Sequence, residues 1–476
     1  MDSRQAWRDK LLLHFREGVS LVTKEGRTHL ASASQTLLPL TPQSPAVLET
    51  LEGLHAEGAT EAELVAKVAR KAGALEVATF LLLLRRLQEH GFLSFSLRNG
   101  SPFASLHPSS PWFRPGRAEL DPERAYVLSR FAYQRRLGQH LVLESPRCHA
   151  RLRLEAPHAA ALCLALARPS TLGALAAGGA EPELVEPFLG LLLATGLALP
   201  ADDEGQTEEE QSPRLAPWAF HDLLFHARSR LGRHEGPFGK TFPFRDRFPP
   251  PPALPPLPED VEDALPLHRP ELAPLLASDV PFTAVLESRR SERTQGADPL
   301  SLETLGDFLY RAARVREHLP TTPGPGYEQT RRPYPSGGAC YDLELYLAVD
   351  RCRGLDSGLY YYDAERHRLV RRTGRTHEVE TLLKTAAAMA LSSTLPQVLI
   401  CMASRFQRVS WSYEGVAYAV TLKNVGALYQ TLYLVATAMG LAGCGLGAGD
   451  SELFARAAGT DYYEETTVGE FLLGSR

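Results

Sequence analysis

Seven prolines between Pro249 and Pro258 divide this 476-residue chain. Proline fixes φ and lacks an N–H, so a run this dense is stiff and extended. It is expected to be a connector that holds two bodies apart rather than folding into either. Length allows two to four domains, and a composition of 44% hydrophobic and 22% charged residues is ordinary for a globular protein. The net charge of −5 offers no basic field for a nucleic-acid partner. The start, MDSRQAWRDKLLLHFREG, holds only three consecutive leucines, and no stretch approaches a membrane span. A cytoplasmic protein with no membrane partner is expected. Cys148, Cys163, Cys340, Cys352, Cys401 and Cys444 form no Cys-x-x-Cys pair and have no histidine at ligand spacing, so reduced structural thiols and no metal are expected.

Ahead of the connector, residues 19–30 suit a hairpin with Gly26 at its turn. Residues 45–54, 61–71 and 77–90 suit helices, and Gly91 precedes a strand over 92–97. Helices followed by glycine and a short strand make a winged-helix pattern. It is echoed: Leu84, Leu87, Gly91 and Phe92 are answered by Leu189, Leu192, Gly196 and Leu197, and Thr60 and Leu64 by Thr171 and Leu175. Both helix ends use glycine, which adopts the left-handed cap without strain. DNA recognition is disfavoured, because helix 77–90 carries only Arg85 and Arg86 and its counterpart over 184–194 has no basic residue. Capture of a peptide by strand addition is the better expectation, with a purely architectural role as the alternative. The acidic run 202–210 is expected to be a solvated loop. His221 and His226 are spaced five apart rather than four, so they read as structural. Gly239-Lys240-Thr241 imitates the end of a P-loop, but His234 stands where the first glycine is required.

Beyond the connector, Ser301 caps a helix over 301–314, strands are expected over 343–350, 359–363, 368–371 and 398–403, and the longest helix over 418–439. Its Val425, Leu428, Leu432, Val435 and Met439 form an apolar stripe. Three segments here read as a cradle for a phosphate and a flat ring. Ser288-Arg289-Arg290-Ser291-Glu292-Arg293 offers guanidinium forks and hydroxyls suited to a dianion. Tyr334-Pro335-Ser336-Gly337-Gly338-Ala339 and Gly443-Cys444-Gly445-Leu446-Gly447-Ala448-Gly449-Asp450 let bare backbone approach a ligand. The last run resembles a dinucleotide loop, but that fingerprint follows a strand, whereas this run is expected to follow the long helix.

Arg-Arg-Ser-x-Arg, Pro-Ser-Gly-Gly and a late glycine turn resemble the FMN-dependent nitroreductase superfamily, and the whole chain is most similar to its SagB-like azoline dehydrogenases. The segment 220–230 carries the same likeness. The resemblance implies an α+β fold: winged-helix-like peptide-clamp units at 1–105 and 118–201, an acidic loop, helix and proline-rich linker at 202–278, and a nitroreductase-like FMN domain at 279–476. It implies that Arg289 and Ser291, with Arg290 beside them, hold the FMN phosphate, that Arg293 faces the pyrimidine edge, and that Arg476 closes the phosphate site. Pro335, Ser336, Gly337 and Gly338 would lie along the isoalloxazine from the second subunit of a homodimer, with the long helix at the interface. Leu446, Gly447 and Ala448 would form the turn beside N5, where the N–H of Gly447 or Ala448 donates. The implied reaction is oxidation of a peptide thiazoline or oxazoline to the azole, on a precursor peptide delivered by a cyclodehydratase. An NAD(P)H-dependent nitro or quinone reductase and a non-catalytic peptide-binding scaffold are the rivals. Members of this family commonly carry a Lys-Tyr pair ahead of the long helix, and Ser412-Tyr413 stands here. Tyr413 is therefore expected to transfer the proton, with Lys423 assisting.

Overall fold

The structure, a computed structural model, describes residues 3–24, 27–31, 37–40, 44–55, 58–110, 112–114, 116, 118–178, 181–234, 236–257, 264–319 and 326–476. The chain forms two units, Met1–Gly236 and Pro237–Arg476.

In the first unit the elements that matter are β1 (Leu12–Phe15), α1 (Glu61–Ala72), α2 (Ala74–Glu89), β2 (Leu93–Asn99), β3 (Ser101–Pro108), β4 (Tyr133–Leu137), β5 (His140–Glu144), β6 (Ala150–Leu154) and α3 (Pro182–Thr195). The internal repeat is visible in hydrogen bonds. Thr60 and Thr171 both cap helices with their side chains. The Phe92 N–H donates to Leu87 O at 3.0 Å and the Leu197 N–H to Leu192 O at 2.9 Å. Gly91 and Gly196 make these turns at φ 68° and 73°, where a Cβ would be strained. The two halves nevertheless share one antiparallel sheet, ordered β1-β2-β3-β6-β5-β4, with Leu106 opposite Leu152 at the seam. One core runs through both. Phe103 meets Phe188 edge to face at 5.5 Å, and Gly190 leaves no room for a Cβ against the Trp7 indole. Residues 1–105 and 118–201 are thus halves of one body. Strands Ser20–Lys24 and Arg27–Ala31 pair as a hairpin, while Gly26 lies outside the described residues.

The acidic run departs from its expected solvated loop. Thr207 builds a capping box with Glu210 and starts the short helix Glu208–Gln211. Glu209 is fully buried, paired with Arg147 and accepting from Ser129 Oγ at 2.8 Å and the Arg130 N–H at 2.9 Å. A carboxylate leaves water only when such partners replace its hydration.

The second unit contains β7 (Ala264–Pro266), α4 (Phe282–Ser288), α5 (Leu302–Ala313), β8 (Leu343–Val349), β9 (Gly358–Asp363), β10 (Arg368–Thr373), β11 (Val398–Ser404), α6 (Ala417–Ala438), β12 (Ala442–Gly445), α7 (Ser451–Ala458) and β13 (Thr466–Gly474). Its sheet runs β7-β10-β9-β8-β11-β13-β12, antiparallel at every pairing. Every residue of β8 and β11 is buried because helices cover both faces. Leu345, Leu347, Ile400 and Met402 pack with Phe308 of α5 and Leu428 and Leu432 of α6. Tyr346, Ala348, Leu399 and Cys401 pack with Phe454 of α7 on the other side.

Two expectations are corrected here. The stripe of α6 serves this internal core: Val425, Leu428 and Leu432 are at most 5% exposed. Val435 and Met439, at the other end of the stripe, are half-buried against the same core, so the stripe's first three positions are not open to a second subunit. The proline-rich connector does not stand free, because Arg408 donates to Pro251 O at 2.6 Å, Arg405 to Pro252 O at 3.1 Å, and the Ala253 N–H to Glu328 Oε2 at 3.0 Å. A chain that cannot supply amide donors still offers carbonyls, and two arginines use them. Pro258 lies outside the described residues.

Candidate functional site

Tyr433, on α6, gathers two of the three sequence motifs. Its hydroxyl lies 2.9 Å from Ser291 Oγ and accepts the Gly445 N–H at 2.7 Å. The Arg289 guanidinium sits 5.3 Å from the centre of its ring, within cation–π range. Residues 289–293 leave the end of α4 and run beside β12, where the Glu292 N–H donates to Gly443 O at 2.9 Å. Glu292 then takes both Arg290, at 2.8 Å, and Arg476, at 3.0 Å. Arg289 and Arg293 meet no carboxylate among the described residues, so the cluster keeps unneutralised positive charge.

The glycine turn follows β12 and opens α7, so it does come after a strand, contrary to the sequence expectation. The dinucleotide reading fails for another reason. β12 is an edge strand paired antiparallel to β13, and among the described residues no parallel crossover unit surrounds it. The Tyr429 hydroxyl fastens the turn, donating to Leu446 O at 3.0 Å and accepting the Glu470 N–H at 2.9 Å. Gly447 and Ala448 are exposed, and a Cβ at Gly447 would meet nothing within 4 Å. Gly449 sits directly over the Glu470 carboxyl, whose pKa burial raises.

Pro335, Ser336, Gly337 and Gly338 belong to a different neighbourhood. The Gly337 N–H donates to Asn424 Oδ1 at 2.9 Å, and Asn424 Nδ2 donates to the fully buried Asp342 at 2.7 Å. Ser404 and Thr421 donate to the same carboxylate at 2.8 and 2.9 Å. Gly338 holds φ 62°, and its carbonyl accepts from Tyr327 at 2.7 Å and Gln329 at 2.9 Å. A Cβ on Gly337 would lie 2.5 Å from Val420 Cγ1, and one on Gly338 2.5 Å from the Tyr413 hydroxyl. The backbone is thus kept bare and close-packed from beneath.

Tyr413 is half-buried against that cradle. Burial raises its pKa, the Cys340 thiol and Tyr327 phenol add to the rise, and the Lys240 ammonium opposes it. Burial likewise pushes Tyr327 up to about 12 and Cys340 up to about 11. Ser412 is fully buried beside Tyr327. Lys423 is exposed on α6 and makes no hydrogen bond or ion pair among the described residues.

The site residues therefore fall into two groups. Arg289 and Ser291 meet Tyr433, Arg290 and Arg476 meet Glu292 beside them, and Leu446 is held one turn along at Tyr429; Gly337 lies against Val420 and Asn424, and Gly338 against Tyr413. Val420 and Tyr433 are both on α6, and at 1.5 Å per residue they stand about 20 Å apart. Sequence reasoning missed Tyr429, Tyr433, Asn424, Asp342, Tyr327 and Lys240. Tyr429 and Tyr433 do carry a signal, since residues four apart share a helix face, but the apolar stripe beside them masks it.

Comparisons with known proteins agree in order along the chain. Residues 8–114 match the ThcOx helix turn helix domain, residues 126–235 the cyanobactin oxidase ThcOx, and residues 286–474 the nitroreductase family. A nitroreductase-family protein of Methanocaldococcus jannaschii, MJ1384, is 29% identical over 186 residues, covering 39% of this chain and 85% of the relative. The trifolitoxin-processing protein TfxB of Rhizobium leguminosarum bv. trifolii is 27% identical over 176 residues, covering 36% of this chain and 46% of that protein. Among solved structures, a chain of the E. coli microcin synthetase McbBCD complex with truncated pro-MccB17 bound aligns at 20% identity and a TM-score of 0.33, covering 45% of this chain and 88% of that one.

Proposed function

We propose, for a chain whose C-terminal unit belongs to the nitroreductase family and whose N-terminal unit is built from the two ThcOx regions of the cyanobactin oxidases, that it oxidises thiazolines or oxazolines in a ribosomally made peptide to thiazoles or oxazoles, with FMN as cofactor. The observation that carries this reading is the union, in one chain, of ThcOx regions with a nitroreductase domain whose glycine cradle holds a phenol, Tyr413 against Gly338.

The residues present fit the cofactor. Arg289 and Arg293 meet no carboxylate among the described residues, Ser291 adds a hydroxyl, and Gly337 and Gly338 are bare backbone packed against Val420 and Tyr413. FMN, when bound, supplies the two-electron redox chemistry of the reaction. The chain's own residues do the rest. Arg289 and Ser291 would hold the phosphate, Tyr433 fixing both. Arg293 would meet the polar ring edge, and the exposed N–H groups of Gly447 and Ala448 would face charge that develops on the ring. Tyr413 would take the proton from the carbon beside the one that loses hydride.

A homodimer with shared sites completes the reading. The segment around Gly337 lies about 20 Å along α6 from Tyr433, and in a shared site the second copy would bring its Pro335–Gly338 segment to this Tyr433. Leu276 is 87% and Phe282 66% exposed on the helices Leu272–Ser278 and α4, which gives such a copy an apolar surface. The azoline-bearing precursor peptide as substrate and a cyclodehydratase as upstream partner accord with the likeness to a trifolitoxin-processing protein. Full-length protein incubated with a thiazoline-containing peptide should remove two hydrogens per ring by mass spectrometry. No change in peptide mass, beside rapid NAD(P)H-driven reduction of a nitroaromatic, would overturn the proposal.

A further inference from the structure

Lys240 lies on the segment that enters the second unit, and that segment is tied to the backbone around Tyr413. The Gly239 N–H donates to Glu414 O at 3.0 Å, and the Glu414 N–H returns to Gly239 O at 2.9 Å. The Phe242 N–H donates to Ser412 O at 3.2 Å, Thr241 Oγ1 to Glu414 Oε2 at 3.0 Å, and Trp411 Nε1 to Phe248 O at 2.9 Å. Phe242, Phe244, Tyr327, Trp411 and Tyr413 pack into one small cluster beneath. So fastened, the strap sets the Lys240 ammonium 5.2 Å from the Tyr327 ring centre and 5.4 Å from that of Phe242. Tyr327 and Tyr413 flank the same glycine: one donates to its carbonyl, and the other occupies the space of its missing Cβ.

The groups facing Tyr413 can be taken in turn. Tyr327 and the Cys340 thiol oppose a phenolate there, and both stay protonated because burial raises their pKa values. The Glu414 carboxylate is turned to Thr241. Arg408 lies 5.4 Å from the same Tyr327 ring, but its guanidinium is committed to the carbonyls of Cys340, Pro251 and Glu328. Among the described residues, Lys240 is the uncommitted cation brought to this cluster, 5.2 Å from the Tyr327 ring that packs beside Tyr413, and its charge favours the Tyr413 phenolate.

We propose that Lys240 is a positioning residue of the oxidation, its ammonium stabilising the Tyr413 phenolate that removes the substrate proton. The inference rests on the proposed azoline oxidation. In that step an O–H bond would form on Tyr413 as the ring C–H bond breaks, the freed electron pair would become the new ring double bond, and the neighbouring carbon would lose its hydrogen with both electrons, the two-electron oxidation that bound FMN would supply. Tyr413 then releases the proton to water. The strap matters to this scheme because it delivers a cation from residue 240 where the chain has serine at 412. Its ammonium is presented from outside, so the buried serine needs no room for a long side chain.

The full-length protein labelled with ¹³C at tyrosine Cζ tests the charge coupling without any turnover, the Tyr413 signal being assigned by its loss in Tyr413→Phe. Lys240→Met should raise the titration midpoint of Tyr413, because removing an opposite charge disfavours the phenolate. Lys240→Arg should restore it. The rising limb of the rate–pH profile should move by the same amount, while flavin content and melting temperature stay unchanged. An identical Tyr413 midpoint in wild type and Lys240→Met would overturn the inference, as would a lowered rate that Arg does not rescue. Absence of azoline oxidation by the wild type would instead overturn the proposed function and leave the measured coupling to be judged by the titration alone.

Discussion

The Tyr433 hydroxyl stands 2.9 Å from Ser291 Oγ while accepting the Gly445 N–H at 2.7 Å, so a single phenol locks the arginine-rich segment to β12. Tyr433→Phe should leave that N–H unpaired, at about 1–3 kcal/mol. For a unit of this size that is a fall in melting temperature of about 2–4 °C per kcal/mol. Flavin occupancy after gel filtration should drop in parallel. Unchanged melting and occupancy would show that the hydroxyl holds nothing.

Arg289 and Arg290 are adjacent but should respond differently. Arg289 has no carboxylate partner and faces Tyr433, so Arg289→Ala should weaken FMN binding by about 1.5–3 kcal/mol, tenfold or more in Kd. Arg290 is exposed and engaged with Glu292, and such pairs contribute about 0–1 kcal/mol. Fluorescence titration of apoprotein with FMN separates the two. Equal losses for both variants would contradict this assignment.

Tyr413→Phe should lower the rate of azole formation by about 10² to 10⁴, the usual range for a general acid or base, with flavin content intact. Gly338→Ala should do much the same from the other side. The new methyl would lie 2.5 Å from the Tyr413 hydroxyl, on a residue at φ 62°, and must displace the phenol. Wild-type turnover in either variant would remove Tyr413 from the chemistry.

Association should depend on the exposed helices rather than on the stripe of α6. Light scattering at micromolar concentration is expected to give a dimer, and Phe282→Glu combined with Leu276→Glu to give a monomer that binds FMN poorly. A monomeric wild type with full flavin occupancy would dispose of the shared-site arrangement.

Glu465 provides a pH signature in stability. Burial, with Glu344 nearby, raises its pKa to about 7, and Tyr346 donates to it at 2.9 Å. The folded state therefore holds this proton more tightly than the unfolded chain. Its contribution is fully present below the ordinary carboxylate pKa and is lost as pH rises through about 7. Glu465→Gln should gain melting temperature relative to wild type at pH near ~8 and little at ~5. Equal differences at both pH values would show that Glu465 titrates normally.

What could be read from the chain alone was local. Apolar spacing and cap residues located the long helix, expected at 418–439 and found at Ala417–Ala438. They also located the helix that Ser301 caps and the paired helix ends at Gly91 and Gly196. Each of these is set by hydrogen bonds and side-chain periodicity within a few residues, so each leaves a mark in the sequence. The motifs around Arg289, Gly337 and Gly447 drew notice through their arginine and glycine content, a signal of residue type rather than of periodicity.

What tertiary structure decided were meetings between distant segments. Nothing local to residues 101–108 or 150–154 says that they pair, yet their register fuses two winged halves into one sheet. A proline run looks the same whether it spans solvent or lies on arginines, and only Arg405 and Arg408 settle that it packs. The stripe of α6 announces burial but not whether the cover is its own sheet or a second subunit. Lys240, some 170 residues from Tyr413 in sequence, comes to the Tyr327 ring beside it only because a strap of backbone hydrogen bonds is closed. Periodicity encodes which face of an element is buried; which partner buries it depends on the shape and pairing of the whole folded unit.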